Sequence, residues 1–225
     1  MQNFSLLVSL GGDDVSPELY GEKITYSRNT NLIRDRSEMA LVKHYKQSAR
    51  GVFFGICRGH QLGAVADGHK LVQDLSLTQT GSTDYHGNQN ARHFTEAQTW
   101  HHILFEDSLL ARFLIGKTKP DQRITYSVQV NSVHHQVVDP MDSAASKVVA
   151  IDDKDATVEA LQGKNKKSFS VQFHPEFPEE ISGNLEFSNR GFQILRGIVN
   201  YSRLVRMQNR AKSCSSVRLL NSNGL

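Results

Sequence analysis

Gly55-Ile56-Cys57-Arg58-Gly59 sets a cysteine between two glycines, directly after the apolar run Val52-Phe53-Phe54. A small residue two before and two after a nucleophile lets the chain turn sharply from strand to helix. The side chain is then presented on a strained elbow. At such an elbow Cys57 sits beside the unpaired N–H groups and positive dipole end of the following helix, which stabilise a thiolate. The N–H of Arg58 is aimed where an oxyanion would develop. The same spacing also suits a buried, inert cysteine in a βα turn. A second motif, Val171-Gln172-Phe173-His174-Pro175-Glu176, ends another apolar run. In an extended chain residues i and i+2 point to the same side. The carboxylate of Glu176 can then hold one nitrogen of His174 while the other faces a nucleophile, the base-plus-orienter half of a triad. Pro175 stiffens that geometry. An isolated His-Pro-Glu is more often a surface turn, but a cysteine hydrolase needs both halves, and both are present. Gly11-Gly12, after the run Phe4–Leu10, permits close backbone approach to a ligand and offers a further N–H group.

These residues require elements that deliver them to one place. Phe4–Leu10 and Val52–Ile56 are short apolar strands, each closing into a Gly-flanked turn. Residues 13–35 are polar and are expected to be loop, and Ser37–Ala49 has helical spacing. His60–Asp67 is expected to be a helix, and residues 73–98 a loop. Strands are expected over Thr99–Phe105, Gln122–Val130, Lys147–Ile151, Thr157–Leu161 and Ser168–Phe173. Gly183–Gln208 is one long amphipathic helix. Residues 1–210 form a single domain on this reading, and 211–225 a polar C-terminal tail. Strands alternating with helices predict an α/β three-layer sandwich around a mostly parallel sheet.

Composition narrows the function. The 225 residues suit one large α/β domain, and no apolar stretch approaches the ~20 residues of a membrane span. No basic region or small-residue cleavage site flanks Phe4–Leu10, so the expected compartment is the cytoplasm. Two cysteines, Cys57 and Cys214, exclude a disulfide framework. The ten histidines, among them His86, His93, His101, His102, His134 and His135, lack zinc spacing, so no metal is expected. No phosphate-binding or dinucleotide loop is present, so no cofactor is expected. The net charge is +3, but residues 187–225 carry seven basic residues and no acidic one, leaving 19 basic against 23 acidic elsewhere. Without the pattern of a nucleic-acid module, that segment reads as a solvated helix face, and no nucleic-acid partner is expected.

Gly-Ile-Cys-Arg-Gly-His-Gln at 55–61, Val-Asn-Ser-Val-His-His-Gln at 130–136 and Gln-Phe-His-Pro-Glu at 172–176 resemble the class I glutamine amidotransferases. More narrowly they resemble the gamma-glutamyl hydrolase branch, peptidase family C26. Gly11 to Gly21, with Arg34-Asp35 and Glu38, is similar to the gamma-glutamyl-gamma-aminobutyrate hydrolases. The resemblance implies a flavodoxin-like fold with Cys57 as nucleophile, His174 as base and Glu176 as its orienter. It implies Gly12 and Arg58 as oxyanion donors. Gln61 and the loop Asn131, Ser132, Val133 and His134 would hold the glutamyl ends, with Gly11 against the substrate. Such proteins carry further strand–helix units before the Gly-rich loop, which this sequence is expected to lack, and Leu10 stands where relatives often have another glycine.

The activity implied is hydrolysis of small gamma-glutamyl amides. Two alternatives stay open at this point: a glutaminase subunit delivering ammonia to a synthase partner, and a truncated, non-catalytic binding protein. A homo-oligomer also stays open.

Overall fold

A computed structural model describes residues 4–48, 51–77, 99–116, 125–142 and 145–222. Its strands are β1 (Leu6–Ser9), β2 (Val52–Ile56), β3 (Lys70–Val72), β4 (Thr99–Phe105), β5 (Tyr126–Ser132), β6 (Val137–Asp139), β7 (Ser146–Asp152), β8 (Val158–Gly163) and β9 (Ser168–Val171). Its α-helices are α1 (Leu32–Gln47), α2 (Arg58–Ala66), α3 (Leu109–Ile115), α4 (Glu179–Ser182) and α5 (Leu185–Ser222). Seven strands form one sheet in the order β1-β2-β9-β8-β7-β4-β5, and β3 pairs with β6 separately.

The expected α/β three-layer class stands, but the sheet is mixed rather than mostly parallel. Among the described residues, β1–β2 and β2–β9 are parallel; β9–β8, β8–β7, β7–β4 and β4–β5 are antiparallel. The reason lies in the connections. Strands β7, β8 and β9 follow one another through short turns, which join only antiparallel neighbours, whereas a parallel pair needs a long crossover. The parallel trio is what matters for the site. It sends the C-terminal ends of β1, β2 and β9 to one edge of the sheet, where Gly11-Gly12, Cys57 and His174 follow directly.

Every residue of β2 is buried, as expected of a strand covered on both faces. Val52, Phe54 and Ile56 face a core shared with Phe169, Val171 and α5. Phe53 faces the opposite layer, with Met39, Val42 and Tyr45 of α1 and Leu62 and Val65 of α2. Helix α5 buries Phe187, Ile194, Ile198 and Val205 on one stripe and exposes Phe192, Leu204 and Met207.

Several expectations shift. Helix α1 starts five residues before the expected Ser37, with the Asn31 side chain capping the Arg34 N–H at 3.0 Å. Its first turn reads as polar loop because the residue it buries is a charged one, Asp35, between the exposed Arg34 and Arg36. Helix α3 went unseen because Leu-Leu-Ala-Arg-Phe-Leu-Ile has no polar face to set a period. Strand β5 lies at Tyr126–Ser132, two residues later than expected at its end, and residues 122–124 of the expected strand lie outside the described residues. So do residues 78–98 of the expected loop, which includes a short 3-10 turn at Leu75–Leu77. The long helix outruns its expected end and passes unbroken through the boundary at 210.

Two substitutions in α5 test which stripe packs. Ile198→Ala should cost about 2–5 kcal/mol of unfolding free energy in a urea titration, and Met207→Ala under about 0.5 kcal/mol.

Candidate active site

Cys57 occupies the link between β2 and α2 with φ 50° and ψ −110°, a conformation that costs a non-glycine residue about 1–3 kcal/mol. The elbow is held from both sides. The Cys57 N–H donates to the Val171 carbonyl at 2.9 Å, and its carbonyl accepts from the Gln61 N–H at 3.1 Å. The flanking glycines are required by space. A Cβ on Gly59 would overlap the Ser9 carbonyl of β1, and one on Gly55 would overlap the backbone of Gly59. The expected strand–elbow–helix geometry is thus what this pentapeptide adopts.

His174 follows β9. Its Nδ1 lies 2.8 Å from Glu176 Oε1, which leaves the other ring nitrogen for the sulfur. Phe177 stacks on the ring at 4.7 Å between centroids and 13° between planes. Burial opposes charge on this imidazole. The Cys57 side chain, followed by the hydrogen bond and charge of Glu176, outweighs it and raises the pKa to about 10. The ring is then an imidazolium at neutral pH, paired to Cys57 on one side and a carboxylate on the other. Gln172 Nε2 lies 3.6 Å from Cys57 Sγ.

Gly11 abuts this pair. A Cβ there would lie 2.9 Å from His174 Cε1 and 3.7 Å from Cys57 Cβ. The Arg58 side chain is buried, with its guanidinium paired to Asp35 and to Glu38 of α1. Only its backbone is left to serve an oxyanion.

The remaining expected site residues fall nearby, but several are already engaged. Gln61 Nε2 donates to the Gln136 carbonyl at 2.7 Å and to Gln172 Oε1 at 3.2 Å. Asn131 clamps the backbone of His174: its Oδ1 accepts from the His174 N–H at 2.9 Å and its Nδ2 donates to the His174 carbonyl at 3.3 Å. That side chain therefore holds the His174 backbone. Ser132 is buried and Val133 half-buried in the same loop. His134 Nε2 lies 3.7 Å from Glu159 Oε1.

Glu159 was missed by sequence reasoning, as were Gln172, His101 and Asp152. His101 Nε2 stands 3.6 Å from Glu159 Oε1 and 3.7 Å from Asp152 Oδ2, all fully buried. Burial works against a charged His101, and the two carboxylates overcome it and raise its pKa. The signal was a polar residue inside an apolar strand: Glu159 in Val158-Glu159-Ala160-Leu161 and Gln172 after Val171.

The peptidase C26 family model matches residues 1–176. The glutamine amidotransferase-like protein YvdE of Lactococcus lactis subsp. lactis is 37% identical over 189 residues, which cover 84% of this chain and 71% of YvdE. Protein NtpR of Enterococcus hirae is 34% identical over 176 residues, covering 76% of this chain and 66% of NtpR. The chain thus spans about two thirds of the length of these relatives. Among solved structures, PurLQS from Thermotoga maritima aligns with a TM-score of 0.56 at 15% identity, covering 89% of this chain and 81% of that one. A glutamine amidotransferase from Methylobacillus flagellatus aligns at 0.52 and 13%, covering 79% and 72%. These two likenesses are of fold. With the family model extending from the first strand to Glu176, the chain belongs to the peptidase C26 family of class I glutamine amidotransferase-like proteins.

Proposed function

We propose that this chain is a cysteine hydrolase of small gamma-glutamyl amides, working through a glutamyl thioester. The observation that carries the reading is the pairing of Cys57, on its strained elbow, with a His174 imidazole whose pKa is raised to about 10 by Cys57 and Glu176. A nucleophile, a charged acid–base partner and an orienting carboxylate are the parts acyl transfer needs.

In this mechanism Cys57 Sγ attacks the side-chain carbonyl carbon of a gamma-glutamyl compound. The carbonyl oxygen becomes an oxyanion held by the backbone N–H groups of Gly12 and Arg58. Each such donor contributes about 10²–10³ in rate. His174 gives its proton to the leaving nitrogen, the C–N bond breaks, and an amine departs. His174, now neutral, takes a proton from water, whose oxygen attacks the thioester. Collapse breaks the C–S bond, releases glutamate and frees the Cys57 sulfur beside the reprotonated His174. Glu176 keeps the ring in one tautomer throughout, and Asn131 fixes its backbone. The substrate pocket is completed by Gly11, Gln61, Ser132, Val133 and His134. The chemistry uses side chains and backbone alone.

The test is glutamate release from gamma-glutamyl-gamma-aminobutyrate, other gamma-glutamyl amines, a folate polyglutamate and glutamine. Cleavage of a gamma-glutamyl amine by the chain alone supports a hydrolase. Turnover of glutamine only, and only with a synthase present, would replace it with an ammonia-delivering subunit. Cys57→Ala should lower the rate at least about 10³-fold, and retained activity in a clean preparation would sink the mechanism. In a separate assay, iodoacetamide should label Cys57 faster than Cys214 at neutral pH.

The pH profile is a further prediction. Proton donation needs the His174 imidazolium, so kcat/KM should fall as pH rises through about 10. Glu176→Gln removes a charge that raises this pKa, so the alkaline limb should move to lower pH. An unmoved limb would mean that another group titrates.

A further inference from the structure

Next to the catalytic pair lies a charge network that the chemistry itself does not use. Helix α1 offers Arg34, Asp35 and Glu38 toward the elbow. Arg34 Nε donates to Glu38 Oε1 at 2.7 Å. The other oxygen of Glu38 accepts from Arg58 Nη1 at 2.5 Å, and Asp35 Oδ1 accepts from Arg58 Nη2. The second oxygen of Asp35 accepts the Ser16 N–H at 2.8 Å. Both Arg58 and Asp35 are 1% exposed.

The network reaches the glycine loop at both ends. Ser16 is bound through its N–H. Gly12 lies against the two arginines: a Cβ there would stand 3.1 and 3.3 Å from the Arg34 Nη atoms and 3.3 Å from Arg58 Cδ. The peptide of Gly12 therefore rests on a floor made by Arg34 and Arg58, and that floor is held by Glu38 and Asp35. Arg58 belongs to both parts, because its side chain is in the floor and its backbone opens α2. A buried ion pair adds little net stability, since desolvation consumes most of the attraction, but it fixes geometry closely.

We propose that Arg34, Asp35 and Glu38 are positioning residues for the oxyanion hole, setting the Gly12 and Arg58 N–H groups in register through the Arg58 side chain and the close packing of Gly12. The proposal rests on the hydrolase reading for what those N–H groups do, and on geometry alone for what holds them. An oxyanion exists only in the transition state and the tetrahedral intermediate. Loosening its donors therefore lowers kcat and leaves KM nearly unchanged.

The test uses Arg34→Met and Glu38→Gln, at the partly exposed end of the network, where side chains are 42% and 29% exposed, so that folding is retained. Circular dichroism and thermal melts would confirm this. Three readouts follow: kcat and KM on the best gamma-glutamyl substrate, alkylation of Cys57 by iodoacetamide, and deuterium uptake of residues 10–16. Alkylation displaces iodide from a methylene carbon and develops no oxyanion. Expected is a fall in kcat of about 10–100-fold, with KM and the alkylation rate within about twofold of wild type and faster uptake in the loop. Unchanged kcat would overturn the proposal. So would a parallel fall of kcat and alkylation, which would make the network a general staple between α1 and α2. If wild type cleaves no substrate, the hydrolase reading fails on its own, and loop uptake decides the positioning. Faster exchange in the variants supports it, and unchanged exchange overturns it.

Discussion

The positive φ of Cys57 is a cost that the surrounding packing must carry. A residue with a Cβ held there costs about 1–3 kcal/mol, and persists only where neighbours leave it no alternative. Here they leave none. Strand β2 is buried on both faces, its end is bonded to Val171 of β9, and α2 begins so close to β1 that only glycine fits at 59. The strain sets the sulfur clear of its own strand and beside the first turn of a helix. Everything else in the site is arranged around a thiol in that place.

The second constraint is parallel pairing at one end of an otherwise antiparallel sheet. Three parallel strands deliver their C-terminal ends to one edge, and loops there carry residues far apart in sequence. Open α/β sheets place their ligands at that edge for this reason. The antiparallel half contributes in another way. Strand β5 ends at Asn131 and Ser132, so the amide of Asn131 can bracket the backbone of His174. Strand β8 sets Glu159 beside His134 and His101. His174 is thus held by its ring through Glu176 and Phe177, and by its backbone through a strand from the other half of the sheet.

Charge is divided with the same economy. The guanidinium of Arg58 turns away from the pocket into Asp35 and Glu38, while its N–H remains at the helix start. One residue therefore serves two surfaces, and a lysine could not replace it, since a single ammonium lacks the fork that meets two carboxylates. The long helix α5 closes the opposite layer with a stripe of Phe187, Ile194, Ile198 and Val205.

The sequence by itself determined what is local. Glycines at 55 and 59 around a cysteine demand a tight turn, His174 and Glu176 are two apart in an extended chain, and the apolar runs Phe4–Leu10 and Val52–Ile56, each closing into glycine, read as buried strands. These follow from sterics and side-chain period within a few residues. The start of α1 was hidden because Asp35 looks like a surface charge until Arg58, 23 residues later, covers it. Glu159 and Gln172 looked like interruptions of strands. The clamp of Asn131 on the backbone of His174 joins residues 43 apart and left no trace in the sequence. Which strands pair outside the β7–β9 run was also beyond reach, since β4 and β5 join the sheet edge across long stretches of chain. Each of these depends on contacts between residues distant in the chain, and only the folded sheet decides which of them meet.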